Sequence, residues 1–268
     1  MKLIVFGANG PTGRLLTAQA LDEGHDVTAF TRHPDAFPLS PVRLRVVAGD
    51  VYDAESVAGA VRGQDAVLST LGVPFSRKPI EVYSAGGRSI VAAMHRHDVA
   101  RFVCVTSSVC ATNPGRTGGL FFDKVVQPLV ENTIGKMLYD DMRRLEDMVI
   151  ATDLDWTIVR PSGLFETPGV TAYKLGEGHL GEQFTSRADL ADCLLRQADD
   201  DTWSRRPVAV ATVAVRPSIV QLIWREGIRK GAPDSASPRR FLPTSPQRVD
   251  RMAPGYRDFG RRRQPGPT

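Results

Sequence analysis

The run Lys2-Leu3-Ile4-Val5-Phe6-Gly7-Ala8-Asn9-Gly10-Pro11-Thr12-Gly13-Arg14 joins an apolar strand pattern to a G-x-x-G-x-x-G turn, and a helical pattern continues to Glu23. At a first strand-to-helix turn, backbone N–H groups and the positive helix end are suited to a pyrophosphate. Gly7 permits the tight turn, Gly10 the close approach of a phosphate, and Gly13 the packing of helix on strand. Gly7, Asn9, Gly10, Pro11, Thr12 and Gly13 are therefore candidate dinucleotide contacts. A glycine-rich turn of an α/β fold that binds no ligand is the other reading of these residues.

Outward from this turn, Val-, Ile- and Phe-rich runs alternate with longer helical patterns, which argues for βαβ units. Strands are expected near Lys2 to Phe6, Asp26 to Thr31, Leu44 to Ala48, Ala66 to Thr70, Arg101 to Thr106, Trp156 to Val159 and Val208 to Ala211. Helices fit near Thr12 to Glu23, Ala54 to Val61, Ile80 to His97, Phe122 to Ala151 in one or two pieces, and Arg187 to Ala198 with Ser186 as N-cap. The implied architecture is α/β, a doubly wound parallel sheet of the Rossmann type. Cys110 to Gly119 reads as a loop over the C-terminal edge of the sheet, where ligands bind in such folds.

The second strand ends Thr31-Arg32-His33, with no acid to take a ribose hydroxyl. Arg32 offers a guanidinium suited to a 2′-phosphate, which favours NADP(H) over NAD(H) as cofactor; a solvated surface charge is the alternative.

Further stretches carry a family resemblance: Gly49-Asp50-Val51, Leu71-Gly72, Thr106-Ser107-Ser108, Asp141-Met142-Arg143-Arg144-Leu145-Glu146, Leu154-Asp155-Trp156-Thr157-Ile158-Val159-Arg160-Pro161 and Ser186-Arg187-Ala188-Asp189-Leu190-Ala191. With the glycine turn, the chain resembles the atypical short-chain dehydrogenase/reductases over about residues 1–215. The similar branch is the NAD(P)H-binding group that includes the biliverdin-IXβ/flavin reductases. The resemblance implies that Asp50 and Val51 border the adenine, Leu71 and Gly72 lie along the cofactor ribose, and Thr106 and Ser107 approach the nicotinamide. It implies that Pro161 to Leu164 close the far side of the pocket. Ser107 is the candidate catalytic residue, as a hydrogen-bond partner of the nicotinamide amide or of a substrate carbonyl. A plain strand-end role is open for each.

Members of the wider family that oxidise alcohols use Tyr-x-x-x-Lys, in which the lysine lowers the tyrosine pKa for proton exchange. Here Tyr83 is followed by Gly87, Tyr173 by Glu177 and Tyr139 by Arg143. Counting back from Leu154-Asp155-Trp156 puts the usual pair at Leu138 and Met142. A flavin-like or quinone-like acceptor takes hydride from a nicotinamide without a protein acid in the leading role, and the similar flavin reductases share this loss. The expected activity is hydride transfer from NADPH to such an apolar or planar acceptor. The alternative is a non-catalytic redox sensor that acts through a protein partner, like the nitrogen-metabolite-repressor-like relatives.

Other chemistries find little support. H-E-x-x-H and G-x-S-x-G are absent, and the three cysteines and five histidines have no metal-ligand spacing, so no metal site is expected. Asp140 and Asp141 splay about 100° apart on a helix and do not make an acid/base pair. Free thiols suit a cytoplasmic protein, and no apolar run approaches the roughly 18 to 20 residues of a membrane span. An apolar stripe from Gly118 to Leu138 reads as core, pocket wall or homodimer contact.

Residues 1–215 read as the dinucleotide-binding domain with a small substrate region, and 216–268 as a basic extension. From Arg216 onward twelve Lys or Arg face four Asp or Glu, a net of +8, which leaves −4 for Met1 to Val215 in a chain of +4 overall. Eight of the 19 prolines lie in the extension, a composition that resists packing. Ser218 to Lys230 holds its one helical spacing. Without aromatic interleaving, its arginines are read as solvated rather than as a nucleic-acid site.

Overall fold

The computed structural model describes residues 1–39, 41–73, 79–111, 135–178, 180–182 and 184–215. The extension from 216, with its expected helix, lies outside them. So do the apolar stripe and helical pattern up to 134, and all but the start of the loop that begins at Cys110.

Eight strands form one sheet in the order β3-β2-β1-β4-β5-β6-β10-β8. These are β1 (Lys2–Phe6), β2 (Asp26–Thr31), β3 (Leu44–Ala48), β4 (Ala66–Ser69), β5 (Arg101–Val105), β6 (Asp155–Pro161), β8 (Tyr173–Gly176) and β10 (Arg206–Thr212). Every pairing is parallel except that of β8 with β10. The strand order reverses between β1 and β4, which opens a crevice at their C-terminal ends. A small parallel pair, β7 (Gly163–Phe165) with β9 (Phe184–Ser186), follows β6.

Alternating side chains along each strand feed two cores. Ile4 and Phe6 face one side with Phe102, Trp156 and Ile158, under α2 (Ala54–Val61), α3 (Val82–Arg96) and α4 (Lys136–Ile150). Leu3 and Val5 face the other with Val103 and Val159, under α1 (Pro11–Asp22) and α5 (Arg187–Arg196). Each fully buried large side chain contributes about 1.5–3 kcal/mol, so both faces of the sheet must be covered. All seven expected strands and four of the five expected helical regions are present, with ends moved by a few residues, and the region expected from Phe122 to Ala151 is described as a helix over Lys136–Ile150. The residues 155 and 160–161 extend the expected sixth strand. The three strands missing from the sequence reading are β7, β8 and β9, which are short.

Candidate active site

The glycine turn meets the demands of a phosphate cradle. Gly7 has φ +74°, a left-handed conformation, and a Cβ there would stand 2.5 Å from the Thr70 carbonyl oxygen. Thr70 itself closes β4 against β1, its amide and hydroxyl donating to the Phe6 carbonyl at 2.9 and 3.0 Å. A Cβ on Gly13 would collide with the Gly7 carbonyl and lie 2.8 Å from Ala8 Cα, which is the close helix-on-strand packing. At Gly10 a Cβ would meet only the Gly7 carbonyl within 4 Å, so this side of the turn is open.

The start of α1 has no side-chain cap and no acid in its first turn. By contrast, Asp53 caps α2 and Ser186 caps α5 through their own side chains. First-turn amides have no acceptor within their helix, and Pro11 brings none of its own. The amides of Thr12 and Gly13 are thus left for an anion, at the positive end of the helix dipole. A dinucleotide pyrophosphate fits this cradle. Asn9 is held beside it by Arg14, whose Nε and Nη2 donate to Asn9 Oδ1 at 2.9 and 2.7 Å.

Arg32 is exposed at the tip of β2, next to the end of β3, where Gly49 N–H donates to the Thr31 carbonyl. Asp50 shapes the following turn by accepting from Tyr52 N–H at 3.1 Å, with Val51 buried behind it. Tyr52 is an exposed aromatic in this neighbourhood that sequence reading passed over. Burial first, then the charges of Asp141 and Asp50, push its phenol pKa up, while Arg32 pulls it down. Leu71 packs on the core and Gly72 is exposed beside it, with the buried Tyr83 phenol near Gly72.

Beyond β4 the edge is organised by buried carboxylates. Thr106 is buried and its hydroxyl donates to Glu146 at 2.6 Å, so that side chain faces inward. Arg160 completes the cluster with a two-pronged bond to the same carboxylate, at 3.0 and 2.6 Å. Burial acts to lower the Arg160 pKa, but the hydrogen bond and charge of Glu146 outweigh it and hold the guanidinium protonated. Ser107 is half-buried, and its hydroxyl accepts from Val109 N–H to cap the 3₁₀ turn Ser108–Cys110. Pro161 is buried at the end of β6, and Ser162 N–H donates to Thr185, which fastens the residues after β6 to β9.

The adjacent acids Asp140 and Asp141 part as expected. Asp140 pairs with Arg143 near the surface. Asp141 is fully buried and accepts from the Tyr83 amide (2.9 Å) and the Ser84 amide and hydroxyl, capping α3 from outside. Leu138 and Met142 share one buried apolar cluster with Cys110, Leu145 and Tyr83. Burial first, then the Glu146 charge, push the Cys110 thiol up to about 12. This part of α4 supplies packing to the core.

A family model described as NAD(P)H-binding matches residues 7–201. The chain belongs to this NAD(P)H-binding family. Among individual relatives, a 3-beta-hydroxysteroid dehydrogenase of Mycolicibacterium neoaurum is 30% identical over 118 residues, covering 40% of this chain and 32% of that protein. The chain thus spans about a third of that dehydrogenase's length. Solved structures share the family member's fold. The anaerobilin reductase ChuY of Escherichia coli O157:H7 aligns with a TM-score of 0.66 at 22% identity, covering 81% of this chain and 100% of ChuY. A short-chain dehydrogenase/reductase of Veillonella parvula in complex with NADP aligns with a TM-score of 0.65 at 18% identity, covering 80% and 94%. Among the described residues, no helix is long and apolar enough to cross a membrane.

Proposed function

We propose that the chain is an NADP(H)-dependent reductase that delivers hydride to a flat, apolar acceptor of the flavin or quinone kind. Bound NADPH supplies the hydride. The glycine turn and the start of α1 hold the pyrophosphate, and Arg32 takes the 2′-phosphate with a fork of donors in place of the acid that would select NAD(H). Glu146, locked by Thr106 and Arg160, keeps the ends of β5 and β6 in register beside the nicotinamide and leaves no mobile charge there. Ser107 stands at the mouth of this region to bond the nicotinamide amide or an acceptor carbonyl.

The observation that carries the reading is the apolar pair Leu138 and Met142, buried with Cys110 in one cluster between α4 and the sheet. An apolar cluster at this point of α4 offers no proton donor, which favours an acceptor that needs position rather than a protein acid. The names of two relatives, a hydroxysteroid dehydrogenase and an anaerobilin reductase, support a large and mostly apolar substrate.

The test is a titration of purified protein with NADPH and NADH, followed by NADPH absorbance after addition of FMN, riboflavin or a quinone. Acceptor-dependent oxidation is expected, with NADPH preferred. Tight binding with no turnover on any acceptor assigns the chain to the sensor class, and no binding of either nucleotide removes the cofactor reading itself.

A further inference from the structure

The turn between β1 and α1 is closed by Gly10 N–H, which donates to the Gly7 carbonyl at 2.9 Å and leaves Ala8 and Asn9 at its corner. Ala8 is buried, whereas Asn9 is half-buried. Arg14 lies five residues on, in the first full turn of α1, where its own N–H donates to the Gly10 carbonyl. Its side chain returns to the corner of the turn.

Two donors of this one guanidinium, Nε and Nη2, converge on Asn9 Oδ1. A carboxamide can present either its oxygen or its N–H2 group to a neighbour, and what the neighbour offers decides which. A guanidinium has donors and no acceptor. It therefore selects the oxygen and leaves Nδ2, with both of its protons, at the free end of the Asn9 side chain. Among the described residues, nothing accepts from those protons.

A pair of amide protons suits a phosphate, whose ionised oxygens only accept. The opposite orientation would turn a carbonyl oxygen towards the anion and repel it. Without a partner on Oδ1 the amide is free to take both orientations, and a binding-competent state that is populated only in part lowers the affinity by that fraction. Arg14 removes this loss, because it is part of the same turn and is in place before any ligand arrives.

We propose that Arg14 is a positioning residue for a cofactor phosphate, holding the Asn9 carboxamide so that its N–H2 end is offered as a fixed pair of donors. The inference rests on the dinucleotide reading above and extends it to a residue beyond the last glycine of the turn. The phosphate is either the pyrophosphate common to both dinucleotides or the 2′-phosphate of NADP+ alone.

The experiment measures dissociation constants of wild type, Asn9→Ala, Arg14→Met, Arg14→Lys and the double variant of Asn9→Ala with Arg14→Met. The ligands are NADP+, NAD+ and adenosine 2′-monophosphate, which lacks the pyrophosphate. Asn9→Ala is expected to weaken binding about tenfold, the scale of one hydrogen bond to a charged group. Arg14→Met keeps the donors but not their orientation and should weaken it about fourfold. In the Asn9→Ala background the same change should matter by less than about twofold, because its effect passes through the amide. Arg14→Lys, which keeps the charge without the fork, should recover only part of the loss. Losses for both dinucleotides with adenosine 2′-monophosphate unchanged assign the contact to the pyrophosphate; losses for NADP+ and adenosine 2′-monophosphate with NAD+ unchanged assign it to the 2′-phosphate. Unchanged affinity in Arg14→Met overturns the inference alone. So does a full effect of Arg14→Met in the Asn9→Ala background or full recovery in Arg14→Lys, either of which reduces Arg14 to a surface charge. An equal loss for all three ligands overturns it as well, by reporting a general structural defect. A wild-type chain that binds neither dinucleotide overturns the cofactor reading and this inference with it.

Discussion

The two halves of the sheet edge are built from different material. From Gly7 to Gly72 the site is mainly backbone: a left-handed glycine, a helix start without a side-chain cap, and strand ends closed by Thr70. From Arg101 onward it is made of buried side chains that converge on carboxylates: Asp141 over α3, Glu146 between β5 and β6, and Asp189 under Thr171 and Thr212. A backbone cradle presents the same amides whatever the surface residues around it. A carboxylate cluster sets distances between elements, and each of its bonds depends on the particular side chain at the other end.

The largest expected effect tests the carboxylate half. Asp189 accepts from the Thr171 amide at 2.6 Å, from the Thr171 hydroxyl at 2.9 Å, and from the Thr212 hydroxyl. Asp189→Ala leaves the buried Thr212 hydroxyl and the two part-buried Thr171 donors without their acceptor and should cost about 3 kcal/mol of stability, read as a lower urea midpoint. A shift below about 1 kcal/mol would mean that the loop before β8 is held by something else.

The cradle is broken next. Gly13→Val places a side chain against the Gly7 and Ala8 backbone, where nothing flexible can yield. Dinucleotide affinity should fall at least about 100-fold, near 2.7 kcal/mol, while far-ultraviolet circular dichroism keeps its helical signal. Retained affinity would show that the pyrophosphate does not use this turn.

A smaller change sharpens the boundary between backbone and side chain within the first half. Arg32→Ala should weaken NADP+ about tenfold, close to 1.4 kcal/mol, and leave NAD+ unaltered. Equal effects on the two would assign Arg32 to the surface.

The weakest effect at neutral pH concerns Cys110, at the junction of the two halves. Burial and Glu146 hold its thiol up to about 12 in the folded chain, whereas an unfolded thiol titrates near 8.5, roughly as in peptides. Between these values the unfolded chain releases a proton that the folded chain keeps. Stability therefore falls as pH rises, by up to about 1.4 kcal/mol per unit for this group. Comparing urea midpoints at pH 7 and pH 10, Cys110→Ala should show a shallower alkaline loss than wild type. Identical slopes would mean that the thiol is accessible to water.

The glycine turn, the seven long strands and the cap at Ser186 were legible because each is written within a few adjacent residues. Short apolar runs rich in Val, Ile and Phe mark strands, three glycines mark the turn, and Ser186 precedes its helix directly. The strands β7 and β9 are three residues each, too short to stand out as a run, and β8, Tyr173–Gly176, contains no Val, Ile or Phe. The stretches quoted for their family resemblance contain Asp141, Glu146, Arg160 and Asp189. Nothing in those stretches revealed what these residues hold.

By itself, then, the sequence determined a doubly wound α/β sheet with a glycine turn at its first crossover, because local periodicity and glycine spacing are short-range properties. Only the tertiary structure decided that Thr106 turns inward to Glu146, that Asp141 caps a distant helix and that Arg187 reaches Thr12. Their partners lie 40, 58 and 175 residues apart in the chain. Such pairs exist only after the sheet has brought its strand ends together, and burial then makes each unpaired charge too costly to leave.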